Sequence, residues 1–225
     1  MSPDLRERDV RQRELVPPGR LARIHAVVIG VGAVGRQAAL QLAATGVPKM
    51  TLVDFDVVEV ANLAVQGFRP DDIGRPKVQA VGEVCRDANP LLDLAEVNDR
   101  FRRSMVHEWE GEAAVFCCVD GIATRRVIWE AVRGRAAFFA DGRMSAEVIR
   151  VLASGSPADD ARYASTLFAP ERAFAGSCTA KATIYAASIA AGLMLAAFAK
   201  WLRGLPVEPD VTLNLLAGEM SVGAA

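Results

Sequence analysis

The strongest constraint on the fold is an apolar run that leads directly into closely spaced glycines. Residues 26–35 read AVVIGVGAVG, in which the glycines are Gly30, Gly32 and Gly35. The apolar run predicts a buried strand, and the glycines predict a tight turn that opens a helix. Glycines at this spacing let the backbone approach a phosphate and direct helix N–H groups at it. This segment therefore predicts a nucleotide site, and a turn that binds no ligand is the alternative.

A second apolar strand ends in acidic residues, in the segment TLVDFD. Asp54 lies about 20 residues beyond the glycines, at the spacing expected of a ribose-binding carboxylate. Asp56 is a second candidate ligand for the nucleotide, although a carboxylate at such a position also caps a following turn. Together with the glycine turn, Asp54 predicts that an adenine nucleotide binds here.

A basic residue, Lys77, ends the segment DIGRPK and lies beyond Asn62 and Gln66. A dinucleotide-binding domain has no obvious need for this lysine, whereas an enzyme that handles a triphosphate does. The alternatives are a solvated lysine at a helix start and two local turn-forming amides. In combination with the glycine turn, Lys77 and Asn62 are predicted to contribute to the nucleotide site.

The rest of the chain alternates strands with helices. Strands are predicted at 24–29, 50–54, 93–97, 113–120 and 136–141, and helical segments at 34–45, 76–88, 102–109 and 124–133. This alternation predicts an α/β fold with a doubly wound, Rossmann-like and mostly parallel sheet. The ligand crevice of such a sheet lies at the carboxyl ends of its strands, where Asp54, Asp56 and Asp120 fall.

Four further segments depart from this alternation. A short charged helix is predicted over 4–15 and an antiparallel strand over 145–153. A crossover loop leading to Cys178 is predicted over 154–177, and a last antiparallel strand over 211–217. An unstructured loop as long as the third segment is usually functional or disordered. We expect one domain over residues 1–225, with residues 1–20 as an N-terminal arm.

Composition narrows the function. The formal net charge of −1 lacks the excess of positive charge typical of proteins that bind nucleic acid or an acidic membrane surface. The first residues carry charges of both signs and lack the apolar core of a secretion signal, so a cytoplasmic location is expected. Residues 182–199 contain no charged side chain and approach the length of a membrane span, and a buried core or interface helix is the alternative that we favour.

The cysteines and histidines do not predict a zinc site. The four cysteines, at 85, 117, 118 and 178, form no C-x-x-C pair, and the chain has only two histidines. Cys117 and Cys118 lie in an apolar strand and Cys85 on a helix face, so all three are expected to pack in the core. Cys178 differs, because it lies in polar surroundings just before the long apolar helix.

Taken in order, these motifs resemble those of the ThiF/MoeB/HesA family, which has the adenylating fold of ubiquitin-activating enzymes. The similarity extends from Arg8 to about Ser221 through RDVRQ, GVGAVG, VDFDVVEVANLAVQ, GRPK, DGIATR, DGRM and SCTAK. Members of this family use ATP to activate the C-terminal carboxylate of a small ubiquitin-fold protein as an acyl-adenylate. Many then transfer the acyl group to a cysteine.

The resemblance implies a role for each motif. Asp54 would bind the ribose and the three glycines the phosphates, with Lys77 neutralising phosphate charge. Asp120 would hold Mg²⁺, although an Asp-Gly pair is also ordinary turn chemistry. Arg11 would reach into the site of a partner subunit, and a solvated arginine is the alternative. Cys178 would accept the acyl group, and Arg143 is a candidate for the substrate channel. ATP, Mg²⁺, a glycine-ended ubiquitin-like or sulfur-carrier protein, a homodimer and a conjugating enzyme are the implied cofactors and partners.

Two departures leave other functions open. The family commonly has an arginine where this chain has Val65, and Arg69 and Arg75 are the nearby candidates to replace it. The zinc-binding cysteine pairs of many bacterial relatives are absent from the sequence. The alternatives are a non-catalytic scaffold subunit, an adenylating enzyme acting on a peptide or a tRNA base, and, as a weaker option, a nicotinamide-dependent oxidoreductase.

Overall fold

The computed structural model describes residues 8–168 and 182–223, and its strands form one eight-stranded sheet in the order β3-β2-β1-β4-β5-β6-β7-β8. The strands are β1 Ile24–Ile29, β2 Lys49–Val53, β3 Asp93–Val97, β4 Glu112–Cys117, β5 Phe138–Ser145, β6 Val148–Ser154, β7 Asp210–Asn214 and β8 Glu219–Val222. The helices are α1 Pro18–Leu21, α2 Ala33–Thr45, α3 Asn62–Gln66, α4 Lys77–Ala88, α5 Ile122–Val132, α6 Pro157–Ser165 and α7 Ile184–Leu202.

The first five strands are parallel, and the last three are antiparallel to their neighbours. The doubly wound α/β sheet predicted from the alternating pattern is therefore confirmed. At the centre, Ile29 is aligned with Val53 on one side and with Cys117 on the other. The chain leaves β1 toward β2 and β3 and later returns to β4 on the opposite side. This reversal opens a crevice at the carboxyl ends of β1 and β4.

The sheet is covered on both faces. Along β1, alternate residues point to opposite faces, so Ala26 and Val28 join one apolar cluster and Val27 and Ile29 join the other. The first cluster contains residues of α2, α4 and α7, and the second contains residues of α5 and α6. Because both faces are covered, all six residues of β1 are buried.

Helix α7 is the segment that resembled a membrane span in the sequence. Its 19 residues are long and apolar enough to cross a membrane by length and composition, a test that core helices of soluble proteins also pass. Here it packs against α2, β5 and β6, and Met194 and Phe198 are buried in the first cluster. The packing that the sequence favoured for this helix is therefore the one observed.

Several element predictions are wrong. Residues 8–15 form hydrogen-bonded turns instead of the predicted helix, because Arg8 and Gln12 bind the last carbonyls of α2. The helix predicted over 102–109 is a short 3₁₀ helix, Arg103–His107, and β4 ends earlier than predicted. The loop predicted over 154–177 contains α6, which begins with a proline and has acidic residues in its first turn. Strand β8 was not predicted.

Candidate nucleotide-binding site

The glycine turn between β1 and α2 has the shape of a phosphate cradle. Gly30 has a φ of +83°, and a Cβ there would lie 2.9 Å from the Cys118 carbonyl oxygen. A Cβ at Gly35 would overlap the Gly30 carbonyl oxygen. At Gly32, which precedes α2, the nearest atom to a Cβ would be 3.8 Å away. Gly30 and Gly35 therefore permit close packing of the turn, and Gly32 leaves room for a ligand at the helix N-terminus.

Asp54 lies directly after β2 and holds this turn in place. Its Oδ2 accepts a hydrogen bond of 2.7 Å from the Val31 N–H, and its Oδ1 accepts one of 2.9 Å from the Asp56 N–H. Each carboxylate oxygen keeps acceptor capacity for a ribose hydroxyl. Burial raises the pKa of Asp54, while the two N–H donors and the charge of Lys77 act in the opposite direction.

Lys77 and Asp56 meet beside Asp54. The Lys77 Nζ lies 3.0 Å from Asp56 Oδ2, and the Lys77 backbone N–H binds the Asp56 carbonyl at 2.9 Å. The lysine side chain is only 8% exposed, whereas Asp56 is half exposed. Lys77 opens α4, where the positive end of the helix dipole adds to its own charge. The Lys77 ammonium and the α4 N-terminus thus create positive potential beside the Asp56 carboxylate, and a phosphate can take the place of that carboxylate as the partner of Lys77.

The short helix α3 lies across the glycine turn. Its first residue, Asn62, accepts a hydrogen bond of 2.9 Å from the Glu59 N–H through Oδ1, which is the turn-forming role considered as its alternative. Its last residue, Gln66, is buried, and its Oε1 lies 3.8 Å from the position of a Cβ on Gly32. Within residues 8–168 and 182–223, no hydrogen-bond partner of Gln66 Oε1 is found. Gln66 thus faces the cradle.

Asp120 lies three residues beyond β4, in the exposed turn that leads into α5. Among the described residues, no group of three or more His, Cys, Asp or Glu side chains could hold a metal ion. A single carboxylate nevertheless fits Mg²⁺, which proteins commonly bind through one or two carboxylates plus phosphate oxygens and waters. The residues present are therefore compatible with a magnesium ion that arrives with a nucleotide.

The family of this chain follows from sequence comparison. The ThiF family matches residues 9–219. The chain belongs to the ThiF family. Among curated ThiF-type relatives, the SAMP-activating enzyme E1 of Haloferax volcanii is 37% identical over 117 residues, which are 51% of this chain and 43% of that protein. The molybdopterin-synthase adenylyltransferase of Salmonella typhimurium is 35% identical over 101 residues, which are 44% of this chain and 41% of that protein.

The chain thus covers less than half the length of these ThiF-type relatives. Solved structures support the ThiF-type fold along almost the whole chain. PaaA matches with a TM-score of 0.76 at 20% identity, over 99% of this chain and 84% of its own. Escherichia coli MccB with selenomethionine-containing MccA matches with a TM-score of 0.72 at 16% identity, over 97% and 71%.

The remaining predicted ThiF site residues are spread over the chain. Arg11 is exposed in the N-terminal turns, and Cys178 lies outside the described residues. Arg143 binds Asp141 and Thr166. Cys85 is buried, which raises its pKa to about 12, and burial also raises the pKa values of Cys117 and Cys118. The core-packing role predicted for the cysteines is confirmed for Cys85 and Cys117, whereas Cys118 is partly buried and packs against the first cluster.

Sequence reasoning did not assign a role to Arg125, although it ends the DGIATR motif. Its guanidinium is buried and pairs with the fully buried Asp141. It also donates to the Val119 carbonyl, next to Asp120. This contact ties the Asp120 turn to β5. The signal available in the sequence was an arginine among the apolar residues of a core-facing helix.

Proposed function

We propose that this ThiF-family protein adenylates the C-terminal glycine carboxylate of a ubiquitin-like or sulfur-carrier protein, with ATP as the second substrate. The observation that carries the proposal is the meeting of Asp54, Asp56 and Lys77 at the glycine turn of a ThiF-family chain. Relatives named a SAMP-activating enzyme and a sulfur carrier protein ThiS adenylyltransferase support this substrate class.

In this proposal, ATP binds across the crevice with its phosphates at the N-terminus of α2. The N–H groups behind Gly32 and the helix dipole stabilise the phosphate charge. Asp54 accepts hydrogen bonds from the ribose while it still holds Val31. Lys77 exchanges Asp56 for a phosphate oxygen, because a triphosphate offers a nearby cation more negative charge than one half-exposed carboxylate does.

The reaction itself needs little from a protein base. The substrate carboxylate is already ionised, and one of its oxygens forms a bond to the α-phosphorus of ATP. The bond from that phosphorus to the bridging oxygen of pyrophosphate breaks, and pyrophosphate leaves with the electron pair. Charge that develops on the phosphoryl oxygens is stabilised by Lys77 and the α2 amides. A magnesium ion held by Asp120 would supply further charge neutralisation on the phosphates.

Two further features belong to the same proposal. The Cys178 thiolate attacks the acyl carbon of the adenylate, a thioester forms and AMP leaves. The protein is a homodimer in which Arg11 of each subunit reaches the site of the other. A Cys178→Ala variant is then expected to retain adenylation and to lose the thioester, which non-reducing electrophoresis with a labelled carrier protein detects.

The test is ATP–pyrophosphate exchange with Mg²⁺ across a panel of glycine-ended ubiquitin-fold proteins. Wild-type protein is expected to exchange only with a cognate carrier, and Lys77→Ala is expected to lose about 10²-fold or more in rate. Lys49→Ala is the matched control, because Lys49 lies at the opposite, amino end of β2 and pairs with Glu110. Its exchange rate should equal that of the wild type.

The alternative function, a non-catalytic scaffold subunit, has one specific observation in its favour: position 65 is a valine, where the family commonly has an arginine. A wild-type protein that binds no ATP, yet binds a catalytic ThiF-family subunit, would establish the scaffold function and contradict the adenylation proposal. Exchange supported by a short peptide or a tRNA instead of a carrier protein would keep the reaction and replace the substrate class.

A further inference from the structure

Arg36 lies on the first turn of α2, immediately behind the phosphate cradle. Its backbone N–H binds the Gly32 carbonyl at 2.9 Å. Its guanidinium carbon lies 5.4 Å from the centre of the Phe68 ring, and its Nη1 lies 3.1 Å from the position of a Cβ on Gly67. The guanidinium therefore occupies the space between the start of α2 and the end of α3, which carries Val65.

Arg36 forms no ion pair with a carboxylate of the described residues, and its guanidinium contacts the face of Phe68 instead. Its Nε is buried without a hydrogen-bond partner, and none of the ion pairs formed within residues 8–168 and 182–223 includes Arg36. Burial lowers the pKa of Arg36, and Asp72 is the carboxylate that most opposes this effect. Asp72 is already bound by Arg69 and Arg75. A desolvated cation in this situation is costly unless a ligand supplies an anion.

Gln66 points to the same ligand independently. Its side chain is more than nine-tenths buried, and its amide, whose Oε1 has no hydrogen-bond partner among the described residues, faces Gly32. The oxygen and nitrogen of a terminal amide exchange places by rotation about the last side-chain bond, so the unpaired position can present N–H groups. Two unpartnered polar groups from different helices therefore flank the N-terminus of α2.

We propose that Arg36, assisted by Gln66, is the phosphate-binding residue that takes the place of the missing arginine at Val65. The ligand is the triphosphate of ATP, so the inference rests on the proposed function. Arg69 and Arg75 are the other candidates, but both are held by Asp72 and Glu83. The Arg36 guanidinium is in no such ion pair, and it lies beside Gly67, the residue that follows Gln66. From there it would donate hydrogen bonds to a phosphate oxygen from α2 instead of α3.

The experiment measures ATP affinity and unliganded stability for Arg36→Met, which keeps side-chain volume and removes charge. ATP binding by titration calorimetry is expected to weaken at least tenfold, while the affinity for adenosine, which has no phosphate, is unchanged. The melting temperature without ligand is expected to be equal or higher, since a partly desolvated charge that forms no ion pair among the described residues has been removed. Arg69→Met is the matched control, because its guanidinium is bound to carboxylates, and it should keep wild-type ATP affinity.

A second variant separates phosphate binding from packing. Adding Val65→Arg to Arg36→Met is expected to restore at least part of the lost ATP affinity, because it returns a guanidinium to the same space from α3. ATP affinity of Arg36→Met within twofold of the wild type would overturn the inference and leave the proposed function intact. A third outcome combines two results: Arg36→Met loses ATP affinity, and the wild-type protein shows no carrier-dependent exchange. This outcome would support the inference and contradict the proposed function. Wild-type protein that binds no ATP would overturn both.

Discussion

Asp54 has a structural task and a binding task at the same time. Its two oxygens accept hydrogen bonds from the buried N–H group of Val31 and the partly buried N–H group of Asp56, so the carboxylate joins the glycine turn to the end of β2. Because burial raises its pKa, the ionised form is costly in the absence of those donors. The site is therefore shaped before any nucleotide arrives.

Replacing Asp54 by alanine is expected to weaken both stability and ATP binding. Two backbone N–H groups lose their acceptor, at a cost of about 1–3 kcal/mol each. Asp54→Asn keeps one acceptor oxygen and should lose less. Urea unfolding with and without ATP measures both effects. An alanine variant as stable as the wild type would show that Asp54 does not hold the turn.

His25 is a buried histidine that the mechanism does not use. Its Nδ1 accepts a hydrogen bond of 3.2 Å from the Glu110 N–H, so its proton lies on Nε2, which donates to Thr51 Oγ1 at 2.8 Å. Burial, and then the charge of Lys49, lower the pKa of His25 from its usual value of 6.5. The folded protein therefore favours the neutral imidazole.

The lowered pKa of His25 makes stability pH-dependent. As the pH falls below about 6.5, the unfolded chain binds a proton that the folded chain does not, so the free energy of unfolding decreases until the folded pKa is reached. His25→Gln is expected to flatten this decrease in urea unfolding compared between pH 7 and pH 5.5. His107→Gln, at an exposed position, serves as the control and should keep the wild-type decrease.

At the scale of elements, the junction of β1 with α2 depends on glycine residues, which have no Cβ. A Cβ on Gly35 would overlap the Gly30 carbonyl, so even a methyl group forces the turn to open. Opening would also move the N–H groups that precede α2. The glycine therefore couples the packing of this βα unit to the shape of the phosphate cradle.

Gly35→Ala is expected to lower the free energy of unfolding by about 1–3 kcal/mol, the usual cost of overpacking, and to abolish ATP-induced stabilisation. Gly19→Ala is the matched control, because no atom of the described residues lies within 4 Å of a Cβ there. Thermal melts with and without ATP compare the two. Normal ATP stabilisation of Gly35→Ala would contradict the coupling between the turn and the cradle.

At the scale of the whole molecule, Asp141 joins the parallel and antiparallel parts of the sheet. It pairs with Cys117 of β4 on one side and with Leu152 of β6 on the other. Its fully buried carboxylate contacts Arg125 of α5, Arg143 of β5 and the Tyr163 hydroxyl of α6, the last two at 2.7 and 3.0 Å. One carboxylate thus connects elements on both sides of the change in strand direction.

Removing this carboxylate leaves two arginines with an unbalanced buried charge. Asp141→Ala is expected to destabilise the fold by about 3–5 kcal/mol, measured by urea unfolding. Glu110→Gln, which breaks an exposed pair with Lys49, should leave the unfolding midpoint unchanged. Equal urea unfolding midpoints for Asp141→Ala and the wild type would mean that the Asp141 carboxylate does not stabilise the fold.

The sequence by itself determined the parallel α/β sheet and the cradle. Apolar runs ending in glycines or acids define strands that are buried on both faces, and these are local signals. Gly30, Gly35 and Asp54 were predictable because backbone geometry at a strand–helix turn permits few residue types. The helix predicted over 4–15 is wrong over residues 8–15, where contacts with the end of α2 accompany turns. The loop predicted over 154–177 is wrong over Pro157–Ser165, where a proline starts a helix. Residues 4–7 and 169–177 lie outside the described residues.

The tertiary structure decided which polar groups are satisfied. The Lys77 ammonium pairs with Asp56, and Arg69 and Arg75 are held by Asp72. Arg36 Nε and Gln66 Oε1, in contrast, have no hydrogen-bond partner among the described residues. None of these outcomes follows from residue type, because an arginine reads alike in sequence whether a carboxylate lies beside it or not. Pairing depends on how α2, α3 and α4 pack around one crevice. The distance between charges is therefore a property of the fold.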